Sequence, residues 1–284
     1  MKFVYRIFRN EMLKDFLHRH LYSRKTISAI KNNGALVVNN EHVTVRKKLT
    51  EGDELVVCLP QEQPSFNLQP YHSPLTILFE DDYILIVSKS ANQNIAPSRE
   101  HLHQSLVEQV LAYLQQSFTR YVPHIVTRLD RNTSGIVIFT KHGYIHHLMS
   151  ETQIDKRYLC ICMGKVQDNG IIKAPIKRHP DSIIQRMVDP TGKYAETHFK
   201  CLASTDNFSL CQVKLLTGRT HQIRVHFQHI GHPLVGDGLY GGITSRYHHQ
   251  LLQCMRVSFT HPITQQIITI EDQTDKLTTI YNML

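Results

Sequence analysis

The segment from Arg128 to Lys141, RLDRNTSGIVIFTK, constrains this chain more than any other stretch. It sets one carboxylate, Asp130, between two arginines, Arg128 and Arg131. A Thr-Ser-Gly turn follows, then an apolar run from Ile136 to Phe139. Polar groups and a turn ahead of a short apolar strand suit an active-site loop carried on a rigid scaffold. An acid with a cation on either side is expected to stay ionised, as a nucleophile or an anionic clamp requires. An ordinary surface salt-bridge loop fits the same residues, and the Arg-Leu-Asp tripeptide alone does not separate the two.

At 284 residues the chain accommodates one sizeable domain and a small one. An apolar content of 41% supplies a packed core, which excludes disorder as the main state. The net charge of +8 points to a polyanionic partner, nucleic acid first, although a merely basic protein has the same balance. The first residues, MKFVYRIFRNEMLKDFLHRH, show no secretory signal, and no run approaches the length of a membrane span. The expected compartment is the cytoplasm. The six cysteines, Cys58, Cys160, Cys162, Cys201, Cys211 and Cys254, form no Cys-x-x-Cys pair. Cys160 and Cys162 alternate on a predicted strand, so buried reduced thiols are the better reading than a zinc knuckle.

Residues 1–60 read as a separate unit. They hold 11 Lys and Arg against 6 Asp and Glu, which is +5 of the chain's +8. Leu13, Phe16, Leu17 and Leu21 follow helical spacing. Ser23 caps a second helix that begins at Arg24 and ends by Gly34. Ala35–Val38, an Asn39-Asn40 turn and Val43–Val45 read as a hairpin, and Gly52-Asp53 is a turn before a strand from Glu54 to Cys58. Residues 61–74, QEQPSFNLQPYHSP, contain three prolines and read as a linker. From Leu75 onward, strands are predicted at Ile77–Phe79, Tyr83–Val87, Ile136–Phe139, Tyr158–Met163, Thr197–Leu202, Leu210–Leu216 and Ile267–Ile270. Helices are predicted at Gln104–Gln116, Gly143–Glu151 and Thr220–Gln228. Strands with inserted helices indicate an α+β domain over 75–284.

Taken with its neighbours, the Asp130 segment resembles the signature of the large-subunit (RluA-type) pseudouridine synthases, whose pattern is close to His-Arg-Leu-Asp-x-x-Thr-Ser-Gly followed by an apolar strand and Lys. Here it stands as TRLDRNTSG. LLTGRTHQIRVHFQHIGHPLVGDGLYG, from Leu215 to Gly241, is similar to the family's third motif, and KRYLCICMGK and GKYAETHFKCL match two further blocks in the family's order. The likeness runs from about Leu75 to about His261. Two departures stand out. Thr127 occupies the usual His position, and Lys89-Ser90-Ala91-Asn92 replaces the usual Lys-Pro-x-Gly. The N-terminal unit resembles the S4 RNA-binding domain, with its basic helix, Gly turn and the Leu-x-x-Gly-Asp of Leu49 to Asp53.

The resemblance implies a mixed, largely antiparallel sheet with a central cleft, plus a small α/β S4-like domain. It implies an isomerase that detaches uracil from C1′ through N1 and reattaches it through C5, with no metal and no other cofactor. Asp130 is then the nucleophile or base, attacking either the ribose or the uracil ring. Tyr158 stacks on the flipped base. Arg224 pairs with Asp130 and aims it. Arg128 helps to hold the space vacated in the RNA, and Arg219 and His221 are weaker RNA contacts. Arg24, Lys25, Lys31, Arg46, Lys47 and Lys48 form a phosphate-facing surface. The expected partner is RNA, large-subunit rRNA with tRNA as the alternative, and the expected state is a monomer.

Bland readings stay open beside these. Tyr158 suits a core tyrosine, Arg224 a surface ion pair, and the basic residues a solvated face. Gly218 and Gly231 suit tight turns, while Gly236 and Gly238 read as loop punctuation. Among nineteen histidines, His226 and His229 are spaced to meet on a helix, but no acid joins them in a known metal-ligand order. A non-catalytic RNA-binding or ribosome-assembly protein on the same scaffold is the competing class.

Overall fold

The computed structural model describes residues 1–116, 121–274 and 276–284. Residues 1–60 build a four-stranded antiparallel sheet in the order Lys2–Arg6, Glu54–Cys58, Ala35–Val38, Glu41–His42. Helices Leu13–Arg19 and Arg24–Asn33 complete this unit, and Leu13, Leu17, Ile27, Ile30, Leu55 and Val57 are buried within it. Ser23 caps the second helix as its position predicts, its Oγ accepting from Thr26 N at 3.1 Å. Two local expectations need correction, and one strand was not expected at all. Lys2–Arg6 is a strand that the helical spacing downstream did not reveal. The first helix stops at Arg19, and Leu21 leaves it with φ +59° and lies partly exposed. The hairpin's second strand is Glu41–His42 rather than Val43–Val45, because Asn39 and Asn40 (φ +50° and +68°) form a two-residue turn that brings the chain back at once.

The main sheet runs Asn169–Lys173, Glu196–Ser204, Phe208–Leu215, Asp155–Met163, Leu252–Thr260, Ser134–Thr140, Ile84–Lys89, Thr76–Glu80, with Ile267–Glu271 beside Leu252–Thr260 and His124–Ile125 beside Ser134–Thr140. Among the described residues every pairing in this sheet is antiparallel except one, where Ser134–Thr140 runs parallel to Leu252–Thr260. That strand pair is the centre of the domain, and Leu252–Thr260 was absent from the sequence reading. Its residues do not alternate cleanly: Gln253 is buried and Arg256 exposed. Helices occupy Leu106–Leu114, Gly143–Ser150 and Gln222–His229, shorter than or shifted from expectation. Ser105 and buried Glu108 close a capping box on the first.

The segment expected as a linker has no regular structure between residues 61 and 74, but it is tied down. The Glu62 carboxylate accepts from Gly143 N and lies 2.9 Å from His124 Nε2. Gln69 N donates to Glu108 Oε1 at 3.0 Å. The N-terminal unit also packs on the larger domain through aromatic rings. Tyr22 stacks on Tyr144 with centroids 4.2 Å apart, Phe3 lies 6.0 Å from Tyr83, and Tyr144 Oη donates to His20 O at 2.8 Å.

Gly135, from the Thr-Ser-Gly turn, sits where the two central strands begin to run side by side. Its φ is +108°, and a Cβ there would lie 2.1 Å from Cys254 O. Glycine is required on both counts. Gly135→Ala is expected to cost about 3 kcal/mol or more, read as a lowered urea midpoint with unchanged m-value. A loss under about 0.5 kcal/mol would show that the strands tolerate separation there.

Candidate active site

The loop from Val126 to Thr133 leaves the short strand His124–Ile125 and returns into Ser134–Thr140. Thr127, at the position where the resembled family has His, is buried and closes the base of this loop: its Oγ1 accepts from Ile138 N at 2.9 Å. The Asp130 carbonyl accepts from Thr133 N at 3.0 Å, and Gln250 Nε2 donates to Thr133 Oγ1 at 3.1 Å. Beneath the loop the ammonium of Lys89, 1% exposed, donates to three carbonyls: Arg131 O at 2.8 Å, Ser90 O at 2.9 Å and Gln93 O at 3.0 Å. The altered Lys89–Asn92 segment fits this arrangement. Asn92 stands where the family has Gly and adopts φ +63°, which Asn tolerates better than most residues.

Facing the loop is the helix Gln222–His229. Its entry residue, His221, holds a left-handed conformation (φ +56°), the kind of local strain that collects at functional sites. Buried Gln222 fixes this entry. Its Oε1 accepts from Arg219 N at 2.9 Å and Thr217 Oγ1 at 2.8 Å, while its Nε2 donates to Thr197 Oγ1 at 2.9 Å. One turn on, Arg224 places Nη1 3.1 Å from Asp130 Oδ2. The other side of its guanidinium grips Asp237, with Nε to Oδ2 at 2.6 Å and Nη2 to Oδ1 at 2.8 Å. The Tyr240 ring lies 4.9 Å from Arg224 Cζ, and Tyr240 Oη is 2.8 Å from His221 Nδ1. Burial opposes the charge on Arg224, but Asp237 and then Asp130 outweigh it and raise its pKa. His221 Nε2 lies 3.7 Å from Asp130 Oδ2, and burial holds the imidazole pKa below its usual value despite that carboxylate.

Together these residues enclose a cleft of about 420 Å³. Tyr158 forms part of its floor, 5% exposed, its hydroxyl pKa pushed up by burial first, then by Cys254 and Asp130. Arg128 and Arg219 stand on the rim, and Leu215, Ile223 and Leu252 supply apolar wall.

The structure thus brings Asp130, Tyr158, Arg224, Arg128, Arg219 and His221 to one cleft. It corrects the local reading of the signature: Arg128 and Arg131 are exposed, and the cation paired with Asp130 is Arg224, 94 residues away. Asp237 and Gln222 were missed. Gly236, read as punctuation, has φ +81°, and a Cβ there would lie 2.0 Å from His249 O, so it sets the turn that presents Asp237. His226 is wholly buried between Thr197 Oγ1 (2.8 Å) and Ala174 O (2.9 Å), a packing role. Of the basic residues in the N-terminal unit, Arg24 and Lys31 line a hollow of about 540 Å³ with Lys14 and His18. Lys25, Arg46, Lys47 and Lys48 are exposed but do not line it.

A mixed sheet whose cleft joins a loop carboxylate to a buried helix arginine defines the class. Residues 83–229 match the RNA pseudouridylate synthase family model, and the chain belongs to that family of uridine-isomerising enzymes. It is 43% identical over 250 residues to the uncharacterized RNA pseudouridine synthase YjbO of Bacillus subtilis (strain 168), covering 86% of this chain and 88% of that protein. It is 31% identical to the ribosomal large subunit pseudouridine synthase D of Nitrosomonas europaea, over 88% of this chain and 76% of that one. Human RNA pseudouridylate synthase domain containing 1 shares the fold, with TM-score 0.61 and 21% identity over 75% of this chain and 89% of its own.

Lys89 gives a pH test of the loop. Burial pulls its pKa down to about 7, while nearby Asp130 favours the charge. In the unfolded chain its pKa returns to about 10.4. Between those values the unfolded state holds a proton that the folded state has released, so this group makes stability rise with pH, by up to about 1.4 kcal/mol per pH unit. Urea unfolding from about pH 7 to about pH 9 should show the wild type gaining on Lys89→Met. A pH-independent difference would place the ammonium's pKa outside that window.

Proposed function

We propose that this enzyme converts specific uridines of large-subunit rRNA to pseudouridine in the Asp130 cleft, as a cytoplasmic monomer with no cofactor. One observation carries the reading: Asp130 lies in an open cleft, with one oxygen bonded by a buried arginine that is itself anchored by a second, buried carboxylate. Such a network fixes the direction of a reactive oxygen before substrate arrives, which is how preorganised sites gain rate. Asp130 acts as nucleophile or base, Arg224 aims it, and Tyr158 offers its ring to the extruded uracil. Arg128 and Arg219 meet phosphates at the rim, and His221 meets RNA beside Asp130. The relative named for large-subunit activity supports rRNA as substrate.

The N-terminal unit, read as S4-like, supplies the second contact. The hollow lined by Lys14, His18, Arg24 and Lys31 suits an RNA backbone.

Purified protein given rRNA and tRNA transcripts tritiated at uridine C5 should release tritium from rRNA, because the new C–C bond displaces that hydrogen. Asp130→Asn should lower release by roughly 10³-fold or more while RNA binding persists. Release from tRNA alone moves the substrate class, and tight binding without release favours an assembly role. Separately, Arg24→Glu with Lys31→Glu should raise KM with kcat little changed, and should flatten the salt dependence of binding by about one unit of slope per lost phosphate contact. An unchanged slope would take this surface out of the RNA interface.

A further inference from the structure

Lys156 enters the same cleft from the strand Asp155–Met163, two residues before Tyr158. Residues two apart on a strand share a face. The strand also shifts register against Leu252–Thr260 between Arg157 and Tyr158, a bulge of the kind that re-aims side chains beside active sites. Asp155 and Arg157 pair with each other at 3.1 Å, and Asp155 also takes Lys214 at 3.4 Å. Lys156 has no such partner: among the described residues no hydrogen bond or ion pair engages its ammonium. Burial lowers its pKa, and the neighbouring group that favours its charge is only the Cys254 thiol. Lys156 is half-buried, and a cation partly withdrawn from water without an anion or a carbonyl is unfavourable. Lys89 shows the contrast, with three carbonyls on its ammonium. Among the described residues no carboxylate or carbonyl offsets the partial burial of Lys156, which leaves its ammonium free to meet a group of the substrate.

The substrate offers two kinds of negative charge. Phosphates suit the exposed rim, where Arg128 and Arg219 already stand. Lys156 instead shares the strand face of buried Tyr158 and lines the same cleft, where Tyr158, Leu215, Ile223 and Leu252 are surfaces that fit a planar base. We propose that Lys156 is a catalytic residue, donating to a carbonyl oxygen of the target uracil and stabilising the negative charge that the ring acquires during isomerisation. When Asp130 attacks C1′, N1–C1′ breaks and its electron pair stays on the ring, shared among N1 and the oxygens O2 and O4. The ring turns, C5 bonds to C1′ and displaces the Asp130 carboxylate, the C5 hydrogen leaves as a proton, and N1 takes up a proton. If Asp130 instead adds to ring carbon C6, the displaced pair again reaches O4. The ammonium serves both routes, as a charge already in place where the ring becomes negative. The inference rests on the Asp130 cleft being the uridine site.

The test is single-turnover tritium release with protein in excess over C5-tritiated rRNA, beside RNA binding and urea unfolding. Lys156→Met should slow release by about 10²–10³-fold, with RNA affinity within about threefold of wild type. Its urea midpoint should be equal or higher, because an unpaired, half-buried charge is gone. Lys156→Gln should show the same slowing, and Lys156→Arg should recover at least about tenfold over Met. Release within about threefold of wild type in the Met or Gln variant overturns the inference. So does a loss confined to RNA affinity, which would assign Lys156 to phosphate, or a lowered midpoint shared by the Met, Gln and Arg variants, which would make it structural. A wild type that releases no tritium overturns the proposed function as well, whereas a fully active Lys156→Met overturns this inference alone.

Discussion

The guanidinium of Arg224 is the interaction on which the rest of the site depends. One buried cation serves two carboxylates: Asp237 takes two of its donors and Asp130 a third. Arginine is required, because only a planar fork with several donors satisfies a bidentate partner on one edge and reaches a second carboxylate from the other. The buried Arg224–Asp237 pair is close to neutral as a unit, which makes its burial tolerable, while removal of either partner would strand a charge at a cost of about 3–5 kcal/mol. Three separate parts of the chain must converge for this to exist: the loop after Ile125, the helix Gln222–His229 and the turn at Gly236. The cleft is thus a consequence of tertiary packing that happens to be legible in motifs.

That legibility had a clear limit. The Asp130 segment could be read because its chemistry is local, an acid in a turn before an apolar run. The strands at Tyr158–Met163 and Glu54–Cys58 could be read because β-branched and apolar residues dominate them. The partner of Asp130 could not be found from periodicity, since Arg128 and Arg131 are nearer in sequence and point to solvent; family resemblance supplied Arg224. Asp237 escaped because a short acidic residue between two glycines looks like any loop, and only its burial against Arg224 reveals it. The central strand Leu252–Thr260 escaped because it is buried unevenly, so its polar residues obscure the alternation that marks a half-exposed strand. The two departures from the family pattern also needed structure to be understood. Thr127 ties the loop to Ile138, and Asn92 adopts a left-handed turn.

The N-terminal unit raises a related point about connection. Residues 61–74 look like a flexible tether by composition, yet Glu62 is bonded at the start of the helix Gly143–Ser150, and Tyr22 stacks on Tyr144. Aromatic pairs of this kind add to the area that they bury. A unit held by stacked rings and an anchored connector presents its basic hollow at a set position relative to the Asp130 cleft. On the proposed function, an RNA that filled both would have to carry phosphate and target uridine at a matching separation, and the shape of the folded RNA would then contribute to selection beside any local sequence.

Three cations in and beneath the cleft, two buried and one half-buried, differ chiefly in what answers their charge. Arg224 is answered by carboxylates and its pKa rises; Lys89 is bonded to backbone carbonyls, though burial pulls its pKa down to about 7; Lys156, among the described residues, has only a thiol nearby. The first two have their full complement inside the fold and act by holding the loop and its acid in place. A fold selected for stability alone would replace the third with an apolar residue of similar volume, since that exchange removes a desolvation penalty and keeps the packing. Its presence beside Tyr158 marks the point where stability yields to chemistry, on the face of the cleft where a uracil ring would lie.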